Sequence, residues 1–153
     1  MREASPLFLD TSALLRAYLT KDQFHAQVQT AIAQADPVVV SGLAHTEVVV
    51  ALTQRQHRDH AGRLRADQVN ALLEQFREDW DTLYVVPVDE ALLLEASALV
   101  IRQAAFGLRA MDAVHVASAL RAAEAFEGLR FLTFDTRQQQ ATHAEGLRLF
   151  AEG

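Results

Sequence analysis

Polar and apolar positions along this chain fall into two rhythms. Short solid apolar runs occur at Pro6 to Leu9, Val38-Val39-Val40, Leu83 to Val86, around Phe131 and at Leu147 to Phe150. Their length and their β-branched and aromatic content predict strands. Between them lie helical patterns. One runs from Thr11 to about Leu19, and a second from Asp22, a candidate N-cap, to about Ala35. A third carries Leu43 to about His57, with Ser41 placed to cap it. Asp67 to Trp80 sets Val69, Leu72, Leu73 and Phe76 on one face. Asp89 caps a helix from Glu90 to about Ala105, which Gly107 stops, and another runs from about Ala110 to Ala125, ended by Gly128. A short helix starts at Thr136. Asp36-Pro37 reads as a turn and helix breaker, and Arg58 to Arg65 as a polar connection around Gly62. Strands thus alternate with helices or helix pairs, which predicts an α/β sandwich with a mostly parallel sheet.

A chain of 153 residues, half of them hydrophobic, can bury a real core and fits one domain. No linker, low-complexity tract or repeat interrupts it, apart from two similar strand-Asp-Thr junctions. The last strand falls at the end of the sequence, so a single domain over 1–153 is expected. The absence of cysteine excludes disulfides, thiolate zinc sites and cysteine nucleophiles. Met1 to Pro6 lacks the apolar core of a signal peptide, and charges such as Glu95 interrupt every long apolar stretch. A soluble cytoplasmic protein is expected.

The two junctions carry the candidate chemistry. Leu7-Phe8-Leu9 runs into Asp10-Thr11, and Phe131-Leu132-Thr133-Phe134 into Asp135-Thr136. Each places a carboxylate at the carboxyl end of a strand, the edge where open parallel sheets bind ligands. Each also has a plain reading as a helix N-cap, and Gln138 could complete a capping box with Asp135. Glu47 sits among apolar neighbours, where an unpaired buried carboxylate costs several kcal/mol. Its helix must turn it to solvent or a cation must meet it. Asp112 opens Asp112-Ala113-Val114-His115-Val116-Ala117-Ser118-Ala119-Leu120, a helix apolar nearly all round and therefore expected to be buried. The helix dipole favours a first-turn acid by only ~0.3–1 kcal/mol.

The formal charge is -6, which argues against bulk electrostatic binding of nucleic acid but permits an acidic nuclease site. The four acids supply -4 of it, a charge that two divalent ions would cancel. An oxygen-only donor set suits a hard ion such as Mg²⁺ or Mn²⁺. The bases are thirteen arginines and the single Lys21. Arginine suits phosphate, but codon bias produces the same ratio and is the preferred account of it.

Four motifs, Phe8-Leu9-Asp10-Thr11-Ser12-Ala13-Leu14, Glu47-Val48, Met111 to Leu120 and Leu132-Thr133-Phe134-Asp135, occur in this order on these elements. Together they resemble the PIN domain family across essentially the whole chain, and in length the VapC-type toxins of toxin–antitoxin pairs. The resemblance implies a PIN-like three-layer α/β/α sandwich. It implies a metal-dependent endoribonuclease in which water attacks an RNA phosphodiester while the acids hold Mg²⁺ or Mn²⁺. Asp10, Glu47 and Asp112 match the core ligands, and Asp135 completes the pocket. Thr11, Ser12 and Thr133 match polar positions that orient ligands or the attacking water. A homodimer and a small antitoxin protein are the implied partners, besides the RNA substrate.

Other residues admit two readings each. His115, three residues after Asp112, shares its helix face and reads first as a hydrogen-bonded core residue and second as a ligand. His45 faces elsewhere. His25, His57, His60 and His143 lie in polar stretches and are expected at the surface. Arg109 either steers phosphate or pairs with an acid. Arg55 and Arg58, with Arg63 and Arg65, form either an RNA-contacting edge or a solvated loop. Leu14, Leu15, Tyr18 and Leu19 are expected in the core. A haloacid-dehalogenase-like phosphatase would need a second Asp where Ser12 stands, and a response-regulator receiver needs a late lysine that the chain lacks. The remaining alternative is a PIN-fold nucleic-acid or protein binding module without turnover.

Clustered carboxylates repel one another until a cation joins them. Mg²⁺ or Mn²⁺ is therefore expected to raise the melting temperature. Asp112→Asn should shrink that gain without lowering the metal-free melting temperature. Equal metal-induced shifts in the two proteins would count against a site at Asp112.

Overall fold

The structure, a computed structural model, describes residues 3–58 and 62–150. His60, expected at the surface, lies outside the described residues. The apolar runs form β1 (Ser5–Leu9), β2 (Ala35–Ser41), β3 (Tyr84–Val86), β4 (Arg130–Leu132) and β5 (Arg148–Leu149). They pair into one sheet in the order β3-β2-β1-β4-β5, with every pairing parallel. The first strand of the chain is thus the central one. Leu7, Phe8 and Leu9 are all buried, as befits a strand covered on both faces.

Alternating side chains of the sheet build two cores. On one face Leu7, Leu9, Val40 and Leu132 pack with α1 (Thr11–Arg16), α2 (His25–Ala33), α3 (Leu43–Gln54) and α4 (Ala66–Trp80). Leu14, Tyr18 and Leu19 belong to this core, as expected, and Leu15 packs against it. On the other face Phe8, Val39, Val86 and Phe131 meet Ala119 and Ala122 of α6 (Ala110–Ala125). Outside α6 lies α5 (Glu90–Arg102), which packs onto it through Leu92, Ala96 and Leu99, and α7 (Thr136–Ala144) adds Ala141 to the same cluster. Caught between the sheet and α5, α6 buries every residue from Asp112 to Ala119. This three-layer α/β/α arrangement matches the expected fold, and the sheet is wholly parallel rather than mostly so. Among the described residues no helix is long and apolar enough to cross a membrane.

Several boundaries differ from the sequence expectation. Asp36-Pro37 does not break the chain before the strand but lies within β2. Ser5 pairs with Ala35 whereas Leu7 pairs with Val38, so β2 carries one extra residue there. Such a bulge accommodates a proline, which has no N–H to donate to the ladder. The helix predicted from Asp22 starts at His25, with Phe24 at its N-cap. Asp22 instead closes the preceding turn, accepting from the Phe24 N–H at 2.9 Å. Gly42, not Ser41, occupies the N-cap of α3, although Ser41 Oγ accepts from the Leu43 N–H at 3.3 Å. Regular α1 ends at Arg16, beyond which the Ala17 and Tyr18 N–H groups turn back to Leu14 and Leu15. The helix expected to run to Ala105 stops at Arg102, and a 3-10 turn over Ala104–Phe106 leads to Gly107 at φ 63°.

Phe8 and Phe131 stack at 5.1 Å between adjacent central strands, beneath α6. Phe131→Ala is expected to cost about 3–5 kcal/mol, the usual penalty for emptying a buried aromatic site. Urea denaturation reads this as a lower midpoint at unchanged slope. A loss under about 1 kcal/mol would mean that α6 is not anchored there.

Candidate functional site

In an open parallel sheet the binding crevice forms where successive connections leave in opposite directions. Here that point lies between β1 and β4, since the chain passes from β1 to β2 and β3 on one side and later places β4 and β5 on the other. Asp10 follows β1 directly, and Thr133 to Asp135 follow β4. The Asp10 N–H reaches Leu132 O at 3.4 Å, so the two strand ends are level.

Asp10 is buried, at 1 % exposure, and both its oxygens are engaged. Ser12 Oγ lies 2.7 and 2.9 Å from the two, the Thr133 hydroxyl donates to Oδ2 at 2.7 Å, and the Ala13 N–H donates to Oδ1 at 3.0 Å. It is therefore an N-cap as well as a buried acid. Desolvation raises its pKa above the ordinary 3.8, although the bonds from Thr133 and Ser12 and the nearby His115 pull the other way. Ser12 and Thr133 are themselves fixed, accepting from the Phe134 and Asp135 N–H groups at 3.0 Å each.

Glu47 projects from the second turn of α3 and is half-buried. The helix neither turns it fully to solvent nor leaves it without partners. Thr11 Oγ1 donates to its Oε1 at 2.6 Å, and His115 Nε2 lies 2.5 Å from the same oxygen. Burial pulls its pKa up, but the bonds from His115 and Thr11 outweigh this and leave the carboxyl below its ordinary value of 4.5, even with Asp112 nearby.

Asp112 is the third residue of α6 and is 5 % exposed. Its Oδ2 accepts from the Arg109 N–H at 3.0 Å and from Arg109 Nε at 3.3 Å, and its Oδ1 accepts from Gln138 Nε2 at 3.2 Å. Asp135 caps α7 through the Gln138 N–H at 3.1 Å. The reciprocal half of the predicted capping box does not form, because the Gln138 side chain turns to Asp112 instead. Arg109 Nη2 lies 3.6 Å from Asp135 Oδ2, so one guanidinium spans Asp112 and Asp135.

The four acids thus stand at one end of the sheet but are held in separate pairs and clusters. Among the described residues no three His, Asp or Glu side chains are gathered as a ready-made metal-ligand group. Their chemistry still fits a hard divalent cation. The donors are all carboxylate oxygens, no cationic side chain among the described residues is bonded to the buried Asp10, and Asp112 and Asp135 already share a cation in Arg109.

Arg109 stays largely exposed at this edge, pairing with the acids as one of its two expected readings required. Arg55 lies in the 3-10 turn Arg55–His57 beyond α3, half-buried, with Arg58 exposed after it. Burial, then Arg58 and Arg16, lower the Arg55 pKa against the pull of Asp22. Sequence reasoning passed over Arg16. Its guanidinium stacks 4.2 Å over Phe134, donates to Ser12 O at 2.7 Å and pairs with Asp22 at 3.3 Å, linking the Arg55 edge to the acid end of the sheet. The run Asp10-Thr11-Ser12 followed four residues after Ser12 by Arg16 was the signal for it. Gln138 was noted only as a capping residue, and no local pattern reveals its reach to Asp112. His45 faces elsewhere, packing on Phe76 and Trp80. His57 and His143 are exposed, but His25 is half-buried with Nδ1 at 2.7 Å from Arg16 O, contrary to expectation.

The raised Asp10 pKa has a defined sign in stability. The folded protein keeps this proton at pH values where the unfolded chain, near 3.8, has released it. The associated stabilisation is full below the unfolded value and is lost as pH rises through the folded one. In EDTA, wild type should therefore lose stability relative to Asp10→Asn as pH rises above the unfolded value of 3.8. Unfolding free energies of the two proteins at matched pH check this, and a pH-independent difference would contradict it.

Comparison with known proteins agrees with this architecture. The PIN domain family model matches residues 7–144. No curated protein sequence matches the chain. Among solved structures, Mycobacterium tuberculosis VapC20, described as a sarcin–ricin loop cleaving toxin, superposes with a TM-score of 0.65 at 20 % identity, over 92 % of this chain and 95 % of that one. A toxin–antitoxin complex from Klebsiella pneumoniae gives 0.61 at 18 % identity, over 88 % and 89 %. VapBC2 from Rickettsia felis, bound to a promoter DNA fragment, gives 0.63 at 13 % identity, over 95 % and 97 %. At these identities the likeness is one of fold. The family match covers most of the chain, from β1 through α7, and the chain belongs to the PIN domain family.

Proposed function

We propose that this protein is a metal-dependent endoribonuclease that hydrolyses RNA phosphodiester bonds, and that it is the toxin of a type II toxin–antitoxin pair. The observation that carries this reading is that Asp10 and Asp135 follow the adjacent strands β1 and β4 at the carboxyl edge of the sheet, with Asp112 joined to Asp135 through Arg109 and Glu47 joined to α6 through His115. Membership of the PIN family supports nuclease chemistry. The description of VapC20 as a toxin that cleaves the sarcin–ricin loop supports RNA as the substrate, and the toxin–antitoxin complex among the similar structures supports a small antitoxin partner. A homodimer, a cytoplasmic location and a single domain over 1–153 belong to the same reading.

Asp10, Glu47 and Asp112 would hold Mg²⁺ or Mn²⁺, with Asp135 completing the site. Such an ion, when bound, polarises the scissile phosphate and makes water a better nucleophile. Ser12 and Thr133 fix the Asp10 carboxylate, and Thr11 fixes that of Glu47. Arg109, exposed beside two acids, would meet a phosphate oxygen, and Arg55 and Arg58 would meet RNA farther along the surface. The second reading is a binding module without turnover. Arg109 favours it, since its guanidinium already neutralises Asp112 and Asp135.

The test is cleavage of total RNA with Mg²⁺, Mn²⁺ or EDTA, comparing wild type with Asp10→Asn. The nuclease reading expects fragments only from wild type with metal, and at least a hundredfold loss in the variant. Absence of cleavage in every metal, from a folded protein, selects the binding module.

A further inference from the structure

We propose that His115 is a positioning residue for the acid site: it grips one oxygen of Glu47 and so aims the other at the cation. The proposal rests on the reading of these acids as a metal site. It arises from a buried imidazole that neither capping nor apolar packing explains.

His115 is 1 % exposed, one turn beyond Asp112 on α6. Its ring reaches across to α3, where Nε2 lies 2.5 Å from Glu47 Oε1. Nε2 also lies 3.2 Å from Thr11 Oγ1, which itself donates to Oε1. Three helices, α1, α3 and α6, therefore meet on one carboxylate oxygen.

The other ring nitrogen settles the role. Nδ1 is buried and, among the described residues, has no hydrogen-bond partner. A proton there would be an unsatisfied buried donor, at a cost of about 1–3 kcal/mol. The proton belongs on Nε2, where Glu47 accepts it. A protonated Nε2 has no lone pair for a metal, and Nδ1 is sealed in the interior. His115 is thus the holder of a ligand, not a ligand itself.

Glu47 is also the acid for which holding matters most. Both oxygens of Asp10 and of Asp112 accept hydrogen bonds, and both oxygens of Asp135 have partners. Among the described residues no hydrogen bond falls on Glu47 Oε2. A glutamate has one more rotatable bond than an aspartate, and ordering a long side chain costs up to about 2 kcal/mol. The His115 and Thr11 contacts meet that cost before a cation arrives. Partners of this kind typically contribute about 10–100-fold to metal affinity.

The test is Mn²⁺ binding by calorimetry to the full chain stripped with EDTA, for wild type, His115→Gln and His115→Leu. Circular dichroism and the metal-free melting temperature check the fold. Glutamine can present an N–H to Glu47, whereas leucine fills similar space with no donor. His115→Leu is expected to weaken Mn²⁺ by about 10–100-fold, and His115→Gln to stay close to wild type. Equal Mn²⁺ affinity in wild type and His115→Leu would reduce His115 to core packing and overturn the proposal. Equal losses in both variants would overturn it differently, by making the imidazole itself a ligand.

Imidazole ¹⁵N shifts of the metal-free wild type give a reading that needs neither variant to fold. The expected pattern is a protonated Nε2 and a bare Nδ1, disturbed by Glu47→Gln, and a proton on Nδ1 instead would refute the geometry. Wild type that binds no Mn²⁺ while keeping this pattern would defeat the metal reading, and His115 would be only a structural tie. Mn²⁺ binding that depends on His115 without any RNA cleavage would leave the proposal standing and remove the nuclease.

Discussion

The pairing of β1 with β4 is the constraint on which the rest of this molecule depends. It joins strands from opposite ends of the chain, with Leu7, Phe8 and Leu9 level with Arg130, Phe131 and Leu132. The register stacks Phe8 on Phe131 and brings the Thr133 hydroxyl to Asp10 across 123 positions of sequence. Because side chains alternate between faces, a slip of one residue would send the two phenylalanines to opposite layers and carry Thr133 away from Asp10. One set of backbone hydrogen bonds therefore fixes a core layer and the floor of the acid site together.

Helix α6 supplies the second half of that site under a different constraint. Its middle is apolar all round, and the sheet on one side with α5 on the other covers it. Polar groups buried at such a position must find partners within the protein. Asp112 and His115 do so at the N-terminal end, where the helix dipole favours negative charge. Arg109 and Gln138 meet Asp112, while Glu47 and Thr11 meet His115. Burial of α6 thus draws α1, α3 and α7 toward its first two turns, and the acids come with them.

What could be read from the sequence was whatever local pattern dictates. The repeated strand-Asp-Thr junction announced both acids at strand ends, and the apolar surroundings of Asp112 announced a buried helix. The N-caps at Asp89 and Asp135 followed from residue type alone. The misses share a cause, which is that distant contacts override local preference. Asp36-Pro37 signals a turn locally, yet pairing with β1 carries the strand through it at a bulge. Asp22 is a good N-cap by type, but it serves the turn that sets Phe24 against Phe134. Gln138 and His115 find their acids 26 and 68 positions away, and nothing in the flanking residues records either partnership.

The same neighbourhood moves two of the acids in opposite directions, and the reason is geometric. At Asp10 desolvation prevails although hydroxyl and amide donors surround the carboxylate, so burial leaves it short of positive charge. At Glu47, which is only half-buried, two short bonds prevail over desolvation and favour the ionised form. Asp112 and Asp135 have a third solution, a shared guanidinium. The pair contacts of Arg109, at 3.3 and 3.6 Å from a side chain 68 % exposed, are of the kind worth about 0–1 kcal/mol. Arg109 therefore balances these acids without locking them, since solvent or a phosphate can replace it at small cost. The rigid contacts lie beneath the acids, in Ser12, Thr133, Thr11 and His115, and the adjustable one lies above them. An acid edge built this way keeps its carboxylates oriented from below while its counter-charge remains exchangeable.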